Sequence, residues 1–203
     1  MSNKIYLYPI WIRIWHWVNA FFFLFLIISG LSMQYANPQY PWIPFEIAVS
    51  WHNIAGVIIT VNYLFFVIGN SIMPNGKFYR IQYKGYVTKL WKQIMYYMFG
   101  IFKKEAAPFP VNEKRKFNPL QKLTYVIAMY VLMPLLIITG LALLYPETIV
   151  NKVFGVSGIL LTAMLHAFIG FCLSIFMLIH VYFCTICKSG WTDNFKSMFN
   201  GWH

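Results

Sequence analysis

Four long apolar runs decide what this chain can fold into. They read as Ile14–Met33, Phe45–Ile72, Leu123–Leu144 and Gly158–Cys184. A helix needs ~20 apolar residues to cross ~30 Å of hydrocarbon, and each run reaches that length. The second and fourth exceed it, which predicts tilt or protrusion. Of the 203 residues, 60% are hydrophobic and only 10% charged, whereas soluble domains hold ~45–50% apolar and ~25% charged residues. One water-soluble core cannot bury that surplus. The expected fold is all-α, an integral membrane four-helix bundle forming a single membrane domain over residues 1–203. Composition excludes a soluble enzyme, a disordered chain, a collagen and a disulfide scaffold. No cleavable signal peptide is expected, because the first apolar run is too long and no small-x-small site follows it.

Turn residues separate the spans, with Asn37-Pro38 through Pro44 in the first link and Pro146 through Ser157 in the last. Between spans two and three lies a polar insert, Met73–Lys122. Within it, Tyr86–Phe102 places apolar residues at Leu90, Trp91, Ile94, Met98 and Phe102, punctuated by Lys89 and Lys92. That pattern predicts an interfacial helix lying on the membrane. No internal repeat stands out. Net charge is +11, and of the 16 Lys and Arg residues Lys152 alone falls on the side opposite the termini and the insert. Both termini and the insert are therefore expected in the cytoplasm, where the charge favours anionic lipid. No base-reading motif accompanies it, so nucleic acid is not an expected partner.

Histidine depth is the informative signal. Four of the five histidines, His16, His52, His166 and His180, lie within spans. Ionisable groups in hydrocarbon are costly and mark function or interhelical hydrogen bonds. His16 opens the first span at the inner face. His52 and His166 lie ~8 Å and ~12 Å into spans that enter from outside. His180 sits near the inner end of the fourth. His52 thus matches His166 in depth, and His16 matches His180. Fourteen residues separate His166 from His180, nearly four turns, so both rings leave one helix face ~21 Å apart. Two large flat cofactors, each held between imidazoles of two helices, fit that pattern. Paired imidazoles are the bis-axial ligands of electron-transfer haem, which leave no open position for substrate. Zinc is a poorer fit, since no third ligand lies at either depth.

Gly56 follows His52 by four residues, and Gly170 follows His166 by four. Each lies one turn from its histidine on the same face, where an absent side chain clears room for a porphyrin or permits close helix packing. Gly30 and Gly140 carry the same two readings.

Arg13-x-x-His16-Trp17, His52-x-x-x-Gly56 and His166-x(13)-His180 resemble the di-haem cytochrome b membrane subunits of formate dehydrogenase, thiosulfate reductase and nickel–iron hydrogenase, which share a four-helix fold with bacterial cytochrome b561. The resemblance covers all four spans. It implies two haem b groups, the outer on His52 and His166 and the inner on His16 and His180. Asn118-Pro119-Leu120-Gln121-Lys122 is similar to the Asn-x-x-Gln-Lys segment of the formate dehydrogenase subunit, whose asparagine helps bind menaquinone; this implies a quinone contact at Asn118 and Gln121. Leu120 departs from that subunit, which has glycine there. Asn before Pro is equally a good helix cap, and the two readings are compatible.

Arg13 lies on the face of His16 near the inner surface, suited to a haem propionate or to anchoring at the interface. Trp11, Trp15, Trp17, Trp42 and Trp51 read mostly as interfacial belt residues. Pro134 is expected to kink the third span. Cys184-Thr185-Ile186-Cys187 is followed by Lys188, so it is no c-type haem motif and reads as packing; with Cys172 it gives no extracellular disulfide framework. His203 is read as solvated.

The leading expectation is a membrane-anchoring electron-transfer subunit of the bacterial inner membrane. Its outer loops, Gln34–Pro44 and Tyr145–Ser157, would meet an iron–sulfur or multihaem cytochrome c subunit on the periplasmic face, and quinone would react at the cytoplasmic edge. The alternatives are a stand-alone cytochrome b561-like superoxide:quinone oxidoreductase, and an anchor whose histidines only bond other helices.

Overall fold

The computed structural model describes residues 5–35, 37, 39–185 and 193–202. Lys4, Pro38, Cys187, Lys188 and His203 lie outside them. Among the described residues four helices are long and apolar enough to cross a membrane. Helix α1 spans Ile10–Tyr35 and α2 spans Phe45–Ile72. The third span is composite, α4 (Pro119–Ile127) and α5 (Met133–Leu144) joined by a π-turn at Ala128–Leu132. Helix α6 runs Gly158–Thr185. The first and third spans start earlier than the apolar pattern suggests. The Pro9 carbonyl accepts from Ile12 and Arg13 N–H and opens α1, and a capping box at Asn118 opens α4 before its first apolar turn. Hydropathy sees the apolar run, whereas caps place the ends.

The π-turn accounts for Pro134. Proline cannot donate to the helical ladder and disturbs the turn before it. The wider turn passes the Met133 N–H to the Ala128 carbonyl, and the Met129 carbonyl accepts the Tyr63 hydroxyl of α2 at 2.9 Å. A freed backbone acceptor within hydrocarbon is thus satisfied from a neighbouring helix, as a bilayer requires.

The small core sits toward the termini end: Ile12 and Trp15 from α1, Ile59, Tyr63 and Phe66 from α2, Ala128 and Met133 from the third span, Ile169 and Leu173 from α6. Trp15 is a correction to the belt reading, for it is buried and stacks on Phe66 with ring centres 4.3 Å apart. Trp42 and Trp51 are exposed. Phe21, Leu24, Ile28, Ile68, Ile138, Phe168 and Leu178 point outward, the arrangement of a bundle whose solvent is lipid.

The insert is more ordered than a polar linker. A 3₁₀ turn at Pro74–Tyr79 leads to α3, Tyr86–Met95, which continues as a π-turn at Tyr96–Gly100. The surface helix therefore stops two residues short of Phe102. Its exposed Val87, Trp91, Met98 and Phe99 suit an interfacial position, and the Tyr86 hydroxyl donates to the Pro119 carbonyl at 2.7 Å. Three further elements escaped the sequence reading. Helix α7, Asp193–Asn200, packs on α6. Leu7 and Tyr8 N–H groups donate to the Gly201 carbonyl at 3.0 and 3.2 Å, tying the two termini together. A hairpin pairs β1 (Lys152–Val153) with β2 (Val156–Ser157) in the last link, an exception to the all-α expectation. Its turn holds Phe154 and Gly155 at φ 51° and 82°, the left-handed pair that a two-residue hairpin demands.

Lys116 is buried in the insert with 4% of its surface exposed. Its ammonium donates to Asn75 Oδ1 at 3.0 Å and lies 4.3 Å from the Tyr8 ring centre. Asn75 in turn donates to Asn70 Oδ1, and Asn70 to the Tyr130 hydroxyl. Burial pushes the Lys116 ammonium down from 10.5 to about 7. Between those values the unfolded chain binds more protons than the folded one, so stability rises with pH; below about 7 the full cost of burying the charge is present. Amide exchange in residues 73–122 should therefore slow as pH rises from 7 to 10, after correction for intrinsic rates. Lys116→Met should flatten that dependence, and an unchanged slope would place its origin elsewhere.

Candidate cofactor site

The bundle brings the four intramembrane histidines together in two pairs. His52 of α2 faces His166 of α6, with ring centres 6.3 Å apart and planes at 73°. His16 of α1 faces His180 of α6, at 6.2 Å and 59°. An imidazole nitrogen sits ~2 Å from a metal it ligates, so two rings on opposite sides of one iron have centres ~6 Å apart. Both pairs meet that requirement.

A hydroxyl from a neighbouring helix meets three of the rings. Ser29 Oγ lies 2.9 Å from His52 Nδ1, Thr139 Oγ1 3.0 Å from His166 Nδ1, and the Tyr125 hydroxyl 3.3 Å from His180 Nδ1. Cys184 Sγ is 3.9 Å from the same His180 atom. The Nδ1 of His16 is buried without a hydrogen-bond partner among the described residues. Sequence reasoning missed Ser29, Thr139 and Tyr125 as partners of these rings.

The glycines separate into two roles. A Cβ on Gly56 would meet no heavy atom within 4 Å, and one on Gly170 only Leu136 Cδ1 at 3.9 Å. Close helix packing therefore does not require either, and both leave clearance for a planar group beside the histidine one turn away. Gly30 and Gly140 instead seat the rings. A Cβ on Gly30 would come 3.4 Å from His52 Cε1, and one on Gly140 3.0 Å from His166 Cε1.

The site also exposes an internal correspondence, correcting the reading that no repeat stands out. Ile27-Ile28-Ser29-Gly30-Leu31 in α1 answers Ile137-Ile138-Thr139-Gly140-Leu141 in α5, and His52-x-x-x-Gly56 in α2 answers His166-x-x-x-Gly170 in α6. Each pair of spans thus contributes a hydroxyl–glycine step against a histidine. A five-residue match, partly of Ile and Leu, is weak against an apolar background; the shared contacts give it weight. The inner pair breaks the correspondence. The position answering His180 is Phe66, fully buried in the core, and that answering His16 is Val126.

Arg13 is placed near His16, yet its guanidinium donates to the Phe199 carbonyl at the end of α7. Trp17 Nε1 donates to the Met198 carbonyl at 3.1 Å. Both tie α7 to the bundle, favourable for a cation at a helix C-terminus. Asn118 is the N-cap of α4: its Oδ1 accepts the Gln121 N–H at 2.9 Å, Gln121 Oε1 accepts the Asn118 N–H at 3.2 Å, and its Nδ2 donates to the Tyr97 hydroxyl at 2.9 Å. Tyr97 packs on Phe183, three residues beyond His180. The cap is formed, and through Tyr97 it reaches the turn of α6 that follows His180.

Donor type and ring spacing fit haem b, and Gly56 and Gly170 add clearance beside the His52–His166 pair. A helical bundle of apolar spans with histidines of this kind defines a membrane cytochrome b. Residues 7–201 match the prokaryotic cytochrome b561 family, and the chain belongs to it. Two relatives bear this out in sequence. YdhU of Escherichia coli (strain K12), named as a cytochrome, is 39% identical over 202 residues, covering 100% of this chain and 76% of YdhU. YedZ1 of Azospira oryzae, named as a protein-methionine-sulfoxide reductase subunit, is 33% identical over 103 residues, 44% of this chain and 52% of YedZ1. No solved structure matches the chain. The protein is a haem-binding, multi-pass electron-transfer protein of the prokaryotic inner membrane.

Proposed function

We propose that this chain is the di-haem, membrane-anchoring cytochrome b subunit of a respiratory oxidoreductase complex, of the formate dehydrogenase, thiosulfate reductase and nickel–iron hydrogenase kind. It links a partner on the outer face to the quinone pool. The observation that carries the reading is the two facing imidazole pairs at separate depths, 6.3 and 6.2 Å between ring centres. His52 and His166 hold the outer haem; His16 and His180 hold the inner. Haem b held by these imidazoles would supply reversible one-electron transfer. The basic insert and both termini face the cytoplasm.

Quinone, read as menaquinone, meets the cytoplasmic edge at Asn118. The cap commits its Oδ1, while Nδ2 carries a second N–H able to donate to a quinone carbonyl. Gln121 keeps the amide in place through the reciprocal bond. Arg13 retains a role at the inner haem edge, through the face it shares with His16. Lys77, Arg80, Lys89, Lys114, Arg115 and Lys122 line a cleft of about 990 Å³, suited to anionic lipid head groups. Exposed Tyr40, Trp42, Tyr145 and Phe154 form the outer surface for an iron–sulfur or multihaem cytochrome c subunit. The subunit status in the name of YedZ1 supports that arrangement. A superoxide-oxidising version would need a basic outer funnel, where the sequence offers Lys152 alone.

Asn118→Asp tests the quinone assignment. Aspartate keeps the cap acceptor at a helix N-terminus but removes both amide N–H groups. Thermal stability and haem content should hold while the rate of quinone reduction falls. Unchanged quinone kinetics would leave Asn118 with its capping role alone.

A further inference from the structure

We propose that Ser29 and Thr139 are positioning residues that fix the tautomer and orientation of His52 and His166, so that each ring turns an unprotonated Nε2 toward the outer iron. The inference rests on that pair holding a haem.

A count of protons carries it. A serine or threonine hydroxyl has one hydrogen to donate. Ser29 Oγ lies 2.8 Å from the Phe25 carbonyl and 3.2 Å from that of Leu26. Thr139 Oγ1 lies 2.8 Å from the Leu135 carbonyl and 3.0 Å from that of Leu136. A hydroxyl that gives its proton to its own helix leaves its oxygen free to accept, and the Leu26 and Leu136 carbonyls, which only accept, also hydrogen-bond the His52 and His166 rings and so call for a ring N–H there. The contacts of 2.9 and 3.0 Å to Nδ1 are then met by a ring Nδ1–H that donates to the hydroxyl oxygen. Neutral imidazole with Nδ1 protonated has its lone pair on Nε2, the form a metal ligand needs.

Burial and repetition argue against coincidence. Ser29 is 1% and Thr139 7% exposed, so neither hydroxyl exchanges its partner freely with water. The following residues, Gly30 and Gly140, let the ring approach within 3.4 and 3.0 Å of where a Cβ would stand. The same hydroxyl–glycine step thus holds the ring by a hydrogen bond and by close contact, once in each half of the molecule.

An acceptor on Nδ1–H strengthens the imidazole as a donor to iron and favours the oxidised state. The test is a redox titration of the purified haem-loaded protein, with low-spin EPR, in Ser29→Ala and in Thr139→Val. The outer haem's midpoint potential should rise and its EPR line move, with the inner haem's unchanged. Ser29→Thr and Thr139→Ser keep the hydroxyl and should restore both signals. Selective loss of the outer haem would also support the role. Outer signals unmoved in both variants would overturn it, as would loss of both haems in both, since positioning is local to one site. The ligand assignment fails separately, through retention of two low-spin haems by His166→Ala.

Discussion

His166→Ala should yield a protein with one haem per chain, the inner one. Alanine deletes one of the two imidazoles on the outer iron and leaves the Thr139 oxygen without its Nδ1–H donor. His52 alone, 6.3 Å across the gap in the native pair, cannot hold a six-coordinate low-spin iron. The inner pair should be untouched, because fourteen residues of α6, ~21 Å at 1.5 Å per residue, separate His180 from the change. The haemochrome-to-protein ratio should halve, with one low-spin EPR species remaining. Two low-spin haems in this variant would contradict the pairing.

His180→Ala should do the reverse and disable quinone reduction. It removes the ring facing His16, whose Nδ1 has no hydrogen bond among the described residues, and the ring that Tyr125 and Cys184 contact. The outer haem should persist, still reducible by dithionite with its potential little changed. Quinone turnover should fall to background, because Asn118 reaches, through Tyr97, the turn of α6 that follows His180. Full quinone turnover with the outer haem alone would move the quinone site to the other side of the membrane.

The four spans and the grouping of histidines by depth were legible because both rest on one-dimensional rules. Twenty apolar residues span hydrocarbon, and 1.5 Å per residue converts position to depth. What escaped depended on contacts between distant segments. Trp15 looks like a belt tryptophan until Phe66 is found stacked on it. Ser29 and Thr139 look like ordinary helix hydroxyls until His52 and His166 arrive from the next helix. A signal was present: Ile-Ile-Ser-Gly-Leu and Ile-Ile-Thr-Gly-Leu stand in corresponding spans. Only the shared geometry lifts that match above an apolar background. Arg13 and Trp17 could not be joined to Phe199 and Met198 across more than 180 positions.

By itself the chain of residues determined a membrane bundle, its four apolar helices and which imidazoles stand level along them, because hydrocarbon thickness and helical rise act along a single axis. Which faces of the helices meet was decided by packing in the plane of the membrane, where apolar side chains look alike to any periodicity. There the tertiary structure set Gly30 and Gly140 against the rings, brought Ser29 and Thr139 within hydrogen-bond reach of them, and buried Lys116 among aromatic rings.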